Sequence, residues 1–348
     1  MPHAGLPGRA AILKCVLGLC AALAAAAACG CAQTYQYRQI VMGVEAELSI
    51  VAPDEPTART AGAAAFSRLA TLEQCMSDYR ATSELRRLCA THDEPVAVSD
   101  DLLRVLLIAA VMHRRTRGAF DVSVGPLTLL WREARRDGVR PELRALADAR
   151  RRCGADAILI DPEARTVTLT KSDMRIDLGG IGKGFAAQEA VRTLAEHGCP
   201  QSLVAIAGDI AAGDPPPRRT GWRVALEGFD VEPVVVQLVR ASISTSGDAE
   251  QSLIIDGERY SHLLDPRTGM GTRSRVQATV IGPDGATVDA LSSALAVQDI
   301  DGAHALTEQF PEYAARLAQQ RPDGTWRIEQ TVNWPSANWP SVQAASRR

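Results

Sequence analysis

The residues most suited to chemistry form one short stretch, Asp177-Leu178-Gly179-Gly180-Ile181-Gly182-Lys183-Gly184-Phe185-Ala186. It follows a β-like run and opens a segment with Ala186, Ala190 and Leu194 at helical spacing. Glycines at a helix start let backbone N–H groups approach an anion, and the helix dipole favours negative charge there. Lys183 adds a positive charge, so a phosphate or pyrophosphate is the natural ligand of such a loop; a plain tight turn is the other reading of the same glycines. Two nucleotide-binding signatures are excluded by spacing. No glycine precedes Gly182 at the distance a Walker loop needs, and Gly184 stands where that loop has its magnesium-binding Ser or Thr. Gly180-x-Gly182-x-Gly184 does not match the dinucleotide fingerprint.

The elements that must position this loop can be sketched from periodicity. Residues 35–51 give two alternating runs separated by Met42-Gly43, a hairpin pattern. Residues 56–76 carry Phe66, Leu69, Leu72 and Met76 at helical spacing after Pro56-Thr57. Asp100–Arg117 forms a second amphipathic helix, broken by Gly118-Ala119-Phe120-Asp121. Two short strands lie between Ala157 and Asp177, and a helix runs from Phe185 to His197. Strand-like runs follow at Leu203–Ile206, Trp222–Leu226, Val234–Val239, Leu253–Ile255 and Val276–Ile281, with helices expected over Ala290–Val297 and Ala303–Gln319. Hairpin-spaced strands with interspersed helices, lacking regular βαβ alternation, predict an α+β fold of mixed or antiparallel sheets with packed helices. No composition break divides residues 35–330, so these form a single large domain.

The chain of 348 residues is long enough for a large core, and 46% hydrophobic with 23% charged residues is the balance of a globular protein. A net charge of -3 excludes a general nucleic-acid binder, and 4% aromatics argue against extensive stacking platforms.

Both ends fall outside the domain. Arg9 and Lys14 precede a short apolar run, Val16–Ala28, which reads as a secretory signal over residues 1–30. It ends in Ala-Ala-Cys29-Gly-Cys31, the pattern of a lipobox, with either cysteine available for acylation. An ordinary signal peptide is the alternative. Loss of this leader removes Arg9 and Lys14 and takes the net charge from -3 to -5. Residues 331–348 hold a tandem repeat, Asn333-Trp334-Pro335-Ser336 and Asn338-Trp339-Pro340-Ser341, and are expected to be a disordered tail. Cys75, Cys89, Cys153 and Cys199 show no metal-type spacing; they read as one or two disulfides or as four small buried hydrophobes.

Three further segments change the reading of the glycine loop: Gly118-Ala-Phe-Asp-Val-Ser-Val-Gly-Pro126, Ile243-Ser-Thr-Ser-Gly-Asp248 with Tyr260-Ser261-His262-Leu263-Leu-Asp265-Pro266-Arg267-Thr268-Gly269, and Thr287-Val-Asp289-Ala-Leu-Ser-Ser293-Ala294. Together with Met42-Gly43, Tyr79 and Ser83-Glu84 they closely resemble the ApbE-type FAD:protein FMN transferases, periplasmic flavin transferases often made as lipoproteins. The resemblance spans about residues 38–300 with the motifs in the family's order.

The resemblance implies a deep FAD cleft with contacts from Met42, Tyr79, Ala119, Phe120, Asp121, Asp177, Lys183 and Leu263. It implies a divalent metal, Mg²⁺, held by the Gly180 carbonyl, Asp289 and Ser293. The last two are one helical turn apart and share a face. It also implies the reaction: a protein hydroxyl attacks the FMN phosphorus of FAD, FMN becomes esterified to Thr or Ser, and AMP leaves. Phosphoryl transfer needs mainly positioning and charge neutralisation, and Mg²⁺ suits a site with few protein ligands. His262 is the candidate general base; the alternative is a histidine that only hydrogen-bonds the flavin or a turn. His92, His113, His197 and His304 lack motif context and read as surface residues. Arg267 fits a turn or a phosphate contact equally. An FAD pyrophosphatase and a non-catalytic FAD-binding lipoprotein are the competing functions. Acceptors would be exported or membrane redox proteins, and the enzyme would sit on the periplasmic side of the inner membrane. The chain departs from the family pattern at Ser293 (usually Thr), at Val44 after Met42-Gly43 (usually Thr), and at Ala205-Ile206-Ala207-Gly208-Asp209 (usually Asn-x-Gly-Gly-Asp).

Overall fold

The first hairpin shows how local chemistry sets the frame. Met42 and Gly43 both take left-handed backbone angles (φ 53 and 76), the geometry of a two-residue turn whose twist matches the flanking strands. Strands Gln33–Val41 and Val44–Ala52 therefore pair antiparallel from the turn outward, Val41 opposite Val44. The computed structural model describes residues 32–226, 234–247, 252–255, 257–273 and 275–335. The leader with Cys29 and Cys31, Asp248, and the second repeat Asn338–Ser341 lie outside the described residues.

That hairpin begins an eight-stranded, wholly antiparallel sheet. Its order continues through Ser202–Ile206, Asp209–Ala212, Ala241–Gly247, Val276–Gly282, Ala314–Gln320 and Trp326–Gln330. Helices Glu55–Met76, Gly182–Glu196 and Gly285–Ala296 cover one face. The first starts where Asp54 accepts the Thr57 N–H at 2.8 Å, with Pro56 in its first turn. Ala58, Ala61, Ala65, Leu69 and Leu72 make its buried stripe, and their small size lets it lie close to the sheet. Along the central strands side chains alternate: Ala278 and Val280 join the core under the helices, while Ile281 joins a second core on the opposite face. There the hairpin of Trp222–Leu226 and Val234–Leu238 packs over Ala212, Ile243 and Ala314. The α+β expectation holds: helices pack on antiparallel sheets.

Two expectations need correction. The helix placed at Ala303–Gln319 ends at Thr307, and Ala314–Gln320 is a sheet strand. Its alanines suggest a helix, yet Ala314, Ala315, Leu317 and Ala318 are all buried, and coverage on both faces overrides intrinsic propensity. Residues 331–335, expected to belong to a disordered tail, are packed against the domain. Trp334 is buried in the second core, and Asn333 Nδ2 donates to the carbonyls of Pro311 and Tyr313, both at 3.1 Å. The chain thus packs through Pro335. Cys75, Cys89, Cys153 and Cys199 are all free thiols.

Candidate active site

The site is built on the place where two helices touch through glycine. A side chain on Gly184 would lie 2.1 Å from the Gly285 carbonyl oxygen, and one on Gly285 would lie 2.2 Å from that of Gly184. Only glycine allows this approach. It brings Asp289, one turn into the helix Gly285–Ala296, onto the first turn of Gly182–Glu196. The cap of its own helix is Asp284, which accepts the Thr287 N–H at 2.8 Å, so Asp289 is not an N-cap. Asp289 is 2% exposed, and its Oδ2 accepts the Gly184 N–H at 3.0 Å.

This changes the reading of the glycine loop. The N–H groups of Gly182 and Phe185 bond to the carbonyls of Leu178 and Ile181, and the backbone N–H groups of Gly184 and Lys183 act on Asp289. The anion at this helix start is therefore the protein's own Asp289, where a ligand phosphate was expected. Lys183 is likewise engaged: its Nζ lies 2.7 Å from Asp209 Oδ2 and 3.9 Å from Asp289 Oδ2. Burial opposes its charge, but the two carboxylates outweigh that and raise its pKa. Burial, then the Asp209 charge, pushes the Asp289 carboxyl up against the opposing pull of Lys183 and the N–H groups.

Ser293 follows Asp289 by one turn. Ser292, between them, bonds to Ser244 Oγ (3.0 Å), Ser246 Oγ (2.8 Å) and the Asp289 carbonyl (2.9 Å), which ties the helix to the strand Ala241–Gly247. Ser246 Oγ also lies 3.3 Å from Ser293 Oγ. A side chain on Gly180 would come within 2.9 Å of Ser293 Oγ, so the loop backbone borders the hydroxyl directly. Among the described residues no group of three His, Cys, Asp or Glu side chains could hold a metal. A cation here would have one close carboxylate, a hydroxyl and a carbonyl, a hard-oxygen set suited to Mg²⁺ with substrate and water completing it. One lysine serves two buried carboxylates, and Asp209 Oδ1 is buried without a hydrogen-bond partner. The charge deficit and the orphaned oxygen both fit an added cation.

In front of this floor opens a cleft of about 860 Å³. Asp177, Gly180, Lys183, Asp289 and Ser293 are among its lining, together with Ala119, Phe120 and Asp121 and with Tyr79, His262 and Leu263. Met42 is the exception: it sits at its hairpin turn, half-buried against the main core and outside the cleft lining. Ala119-Phe120-Asp121 is held from behind. Thr116 Oγ1 accepts the Phe120 N–H at 3.0 Å, Asp121 Oδ1 accepts the Ser123 N–H at 2.7 Å, and His113 Nδ1 lies 3.1 Å from the Phe120 carbonyl and 3.5 Å from Asp121 Oδ2. His113 is thus a support of the wall rather than a surface residue. His197 is exposed, as expected, with its Nδ1 2.8 Å from the Thr193 carbonyl one turn back.

The segment carrying His262 is fixed by backbone bonds from Ser261 N–H to Thr272 (2.9 Å) and from Thr272 N–H to Leu263 (3.0 Å). Trp131 braces the same region, donating to the Gly269 carbonyl at 2.9 Å and packing on Tyr260. Arg267 is paired with Asp265 through two bonds of 2.9 and 3.0 Å, which favours its turn reading. Sequence reasoning missed the helix Gly125–Asp137, which supplies Trp131 and Arg132 to the site. Its signal was Gly125-Pro126, with proline in the first helical turn. Arg132 Nη1 bonds Asp78 Oδ2, its Nη2 lies 3.4 Å from Asp177 Oδ2, and its guanidinium carbon lies 4.2 Å from the Tyr79 ring centroid.

Comparison with known proteins agrees with this geometry. Residues 42–317 match the model of the ApbE family. An FAD:protein FMN transferase of Vibrio cholerae is 35% identical over 242 residues, covering 67% of this chain and 72% of that protein. One from Klebsiella pneumoniae is 29% identical over 266 residues, covering 74% and 76%. The solved structure of the flavin transferase ApbE from Vibrio cholerae superposes with a TM-score of 0.77 at 29% identity, covering 86% of this chain and 98% of that one.

Proposed function

The chain belongs to the ApbE family, and from that premise we propose that it transfers FMN from FAD to a hydroxyl of a target protein, with Mg²⁺ held in the cleft floor. The observation that carries this is convergence. Tyr79, Ala119–Asp121, Asp177–Lys183, His262–Leu263 and Asp289–Ser293, distant in sequence, line one cleft, with a floor short of positive charge.

In the reaction an acceptor Ser or Thr oxygen bonds to the FMN phosphorus, the bond from that phosphorus to the bridging oxygen breaks, and AMP departs with that oxygen. His262, on the cleft wall, takes the hydroxyl proton. Asp289, Ser293 and the Gly180 carbonyl would hold the metal, which would supply neutralisation of the pyrophosphate charge. Lys183 keeps the paired carboxylates from repelling one another, and Phe120 excludes water from the wall. Acceptors are exported or membrane redox proteins, and the enzyme is anchored at the periplasmic face of the inner membrane by lipid on Cys29 or Cys31. This localisation rests on the leader's sequence pattern. Among the described residues no helix is long and apolar enough to cross a membrane.

The test is incubation with FAD, Mg²⁺ and a panel of exported redox proteins, following AMP by chromatography and flavin fluorescence on a denaturing gel. A fluorescent acceptor band with matching AMP is the expected result. AMP without any band would make the protein a pyrophosphatase, and no AMP would make it a flavin carrier.

A further inference from the structure

Tyr79 has little to hold it by itself. Its residue is 76% exposed, and it follows the end of the helix Glu55–Met76 in a turn secured by Ser77 Oγ, which accepts the N–H groups of Tyr79 (3.3 Å) and Arg80 (3.2 Å). These bonds fix its backbone but not its ring. An exposed aromatic side chain samples several rotamers, and ordering it costs entropy.

What orders the ring comes from another element. Arg132, on the helix Gly125–Asp137, directs its guanidinium edge at two carboxylates, Asp78 and Asp177, and sets the group 4.2 Å from the Tyr79 ring centroid. The division of labour requires arginine. Its planar fork bonds two carboxylates through N–H groups in the plane and still offers a flat face to an aromatic ring, whereas a lysine ammonium is a point charge that cannot do both. Asp78 adjoins Tyr79 in sequence and Asp177 begins the glycine loop, so Arg132 ties the aromatic rim to the loop that borders the cleft floor.

We propose that Arg132 is a positioning residue for flavin binding: it clamps Tyr79 in one orientation so that the ring is preorganised as the aromatic contact for the isoalloxazine. This rests on the reading of Tyr79 as a flavin contact. Arg132 also lines the cleft itself, so a role that acts through the Tyr79 ring and not by direct contact makes two demands. The effect must fall on flavin affinity, equally for ligands with and without phosphates, and it must vanish when Tyr79 is absent.

The experiment uses the full protein with Arg132→Lys, Tyr79→Leu and the double variant. It reads the KM for FAD and kcat from AMP release, and riboflavin affinity from flavin fluorescence. Arg132→Lys is expected to raise KM about fivefold with kcat within about twofold of wild type, and to weaken riboflavin binding by the same factor. In the Tyr79→Leu background the same change should alter neither quantity by more than about 1.5-fold, because there is no ring left to position. Loss of FAD affinity with riboflavin affinity intact would overturn the proposal, since Arg132 would then be contacting phosphate. An equal fivefold loss in both backgrounds would also overturn it. If Tyr79→Leu alone leaves riboflavin affinity unchanged, the reading of Tyr79 has failed, an outcome separate from failure of the clamp.

Discussion

Two buried carboxylates, Glu189 on the helix Gly182–Glu196 and Asp289 against its first turn, meet opposite fates. Glu189 is 3% exposed and takes bonds from Arg68, Arg104 and Arg192, which join it to the helices Glu55–Met76 and Asp100–Arg115. Burial alone would raise its pKa, but the arginines reverse this and hold it at about 2. Asp289 is 2% exposed, shares a single lysine with Asp209, and its pKa is raised. Where the chain ties helices together it supplies more positive charge than the carboxylate needs; in the cleft floor it supplies less. Such a deficit costs stability in the free protein and creates affinity for a cation.

The sharpest way to break this contrast is Asp289→Asn, which keeps the side-chain volume and an oxygen for the Gly184 N–H but removes the charge. AMP release at millimolar Mg²⁺ should fall about 1,000-fold, with the melting temperature little changed. A variant that retains the wild-type Mg²⁺ midpoint would remove Asp289 from the metal site. Glu189→Gln should do the reverse, leaving the Mg²⁺ midpoint alone and costing about 2–4 kcal/mol of stability at neutral pH. Because the Glu189 pKa is lowered from 4.5 to about 2, its stabilising contribution is complete above the higher value and is lost as pH falls through the lower one. Denaturant titrations of wild type and variant should therefore differ most at pH 6–7 and converge as pH drops from about 4.5 toward 2. A gap that stays constant with pH would mean that packing, not charge, is what Glu189 contributes. The smallest effect is expected from Ser293→Ala: one neutral oxygen is lost and water replaces it, so the Mg²⁺ midpoint should rise about five- to tenfold with the maximal rate nearly kept. Ser293→Thr, which retains the oxygen, should match wild type in the same titration.

Much of the site could be found in the sequence because its residues come in short runs that resemble a known family's motifs, Asp289 and Ser293 among them. What those residues do to one another was less visible. The loop 177–184 suggested a cradle for a ligand phosphate, yet its N–H groups are used within the protein, because Asp289 arrives from 105 positions away. Lys183 looked like a free charge for the same reason. Arg132 belongs to no run of recognisable residues, and only the packing of its helix brings it to Tyr79 and Asp177. The mistaken helix at Ala303–Gln319 has the same origin: alanine suits a helix, and also a strand with no room on either side.

The contact between Gly184 and Gly285 makes the two helix starts a pivot that side-chain size cannot adjust, since neither residue can gain a single carbon there. Asp289 lies one turn from that pivot and Ser293 two, so any rotation of the second helix moves the hydroxyl farther than the carboxylate. The bearing end is fixed by bare backbone. The far end is held by serine hydroxyls on the strand Ala241–Gly247. If the proposed cation binds there, divergence that retunes its preferred size is mechanically confined to the serine end, where a lever arm converts small changes in strand chemistry into changes in donor spacing.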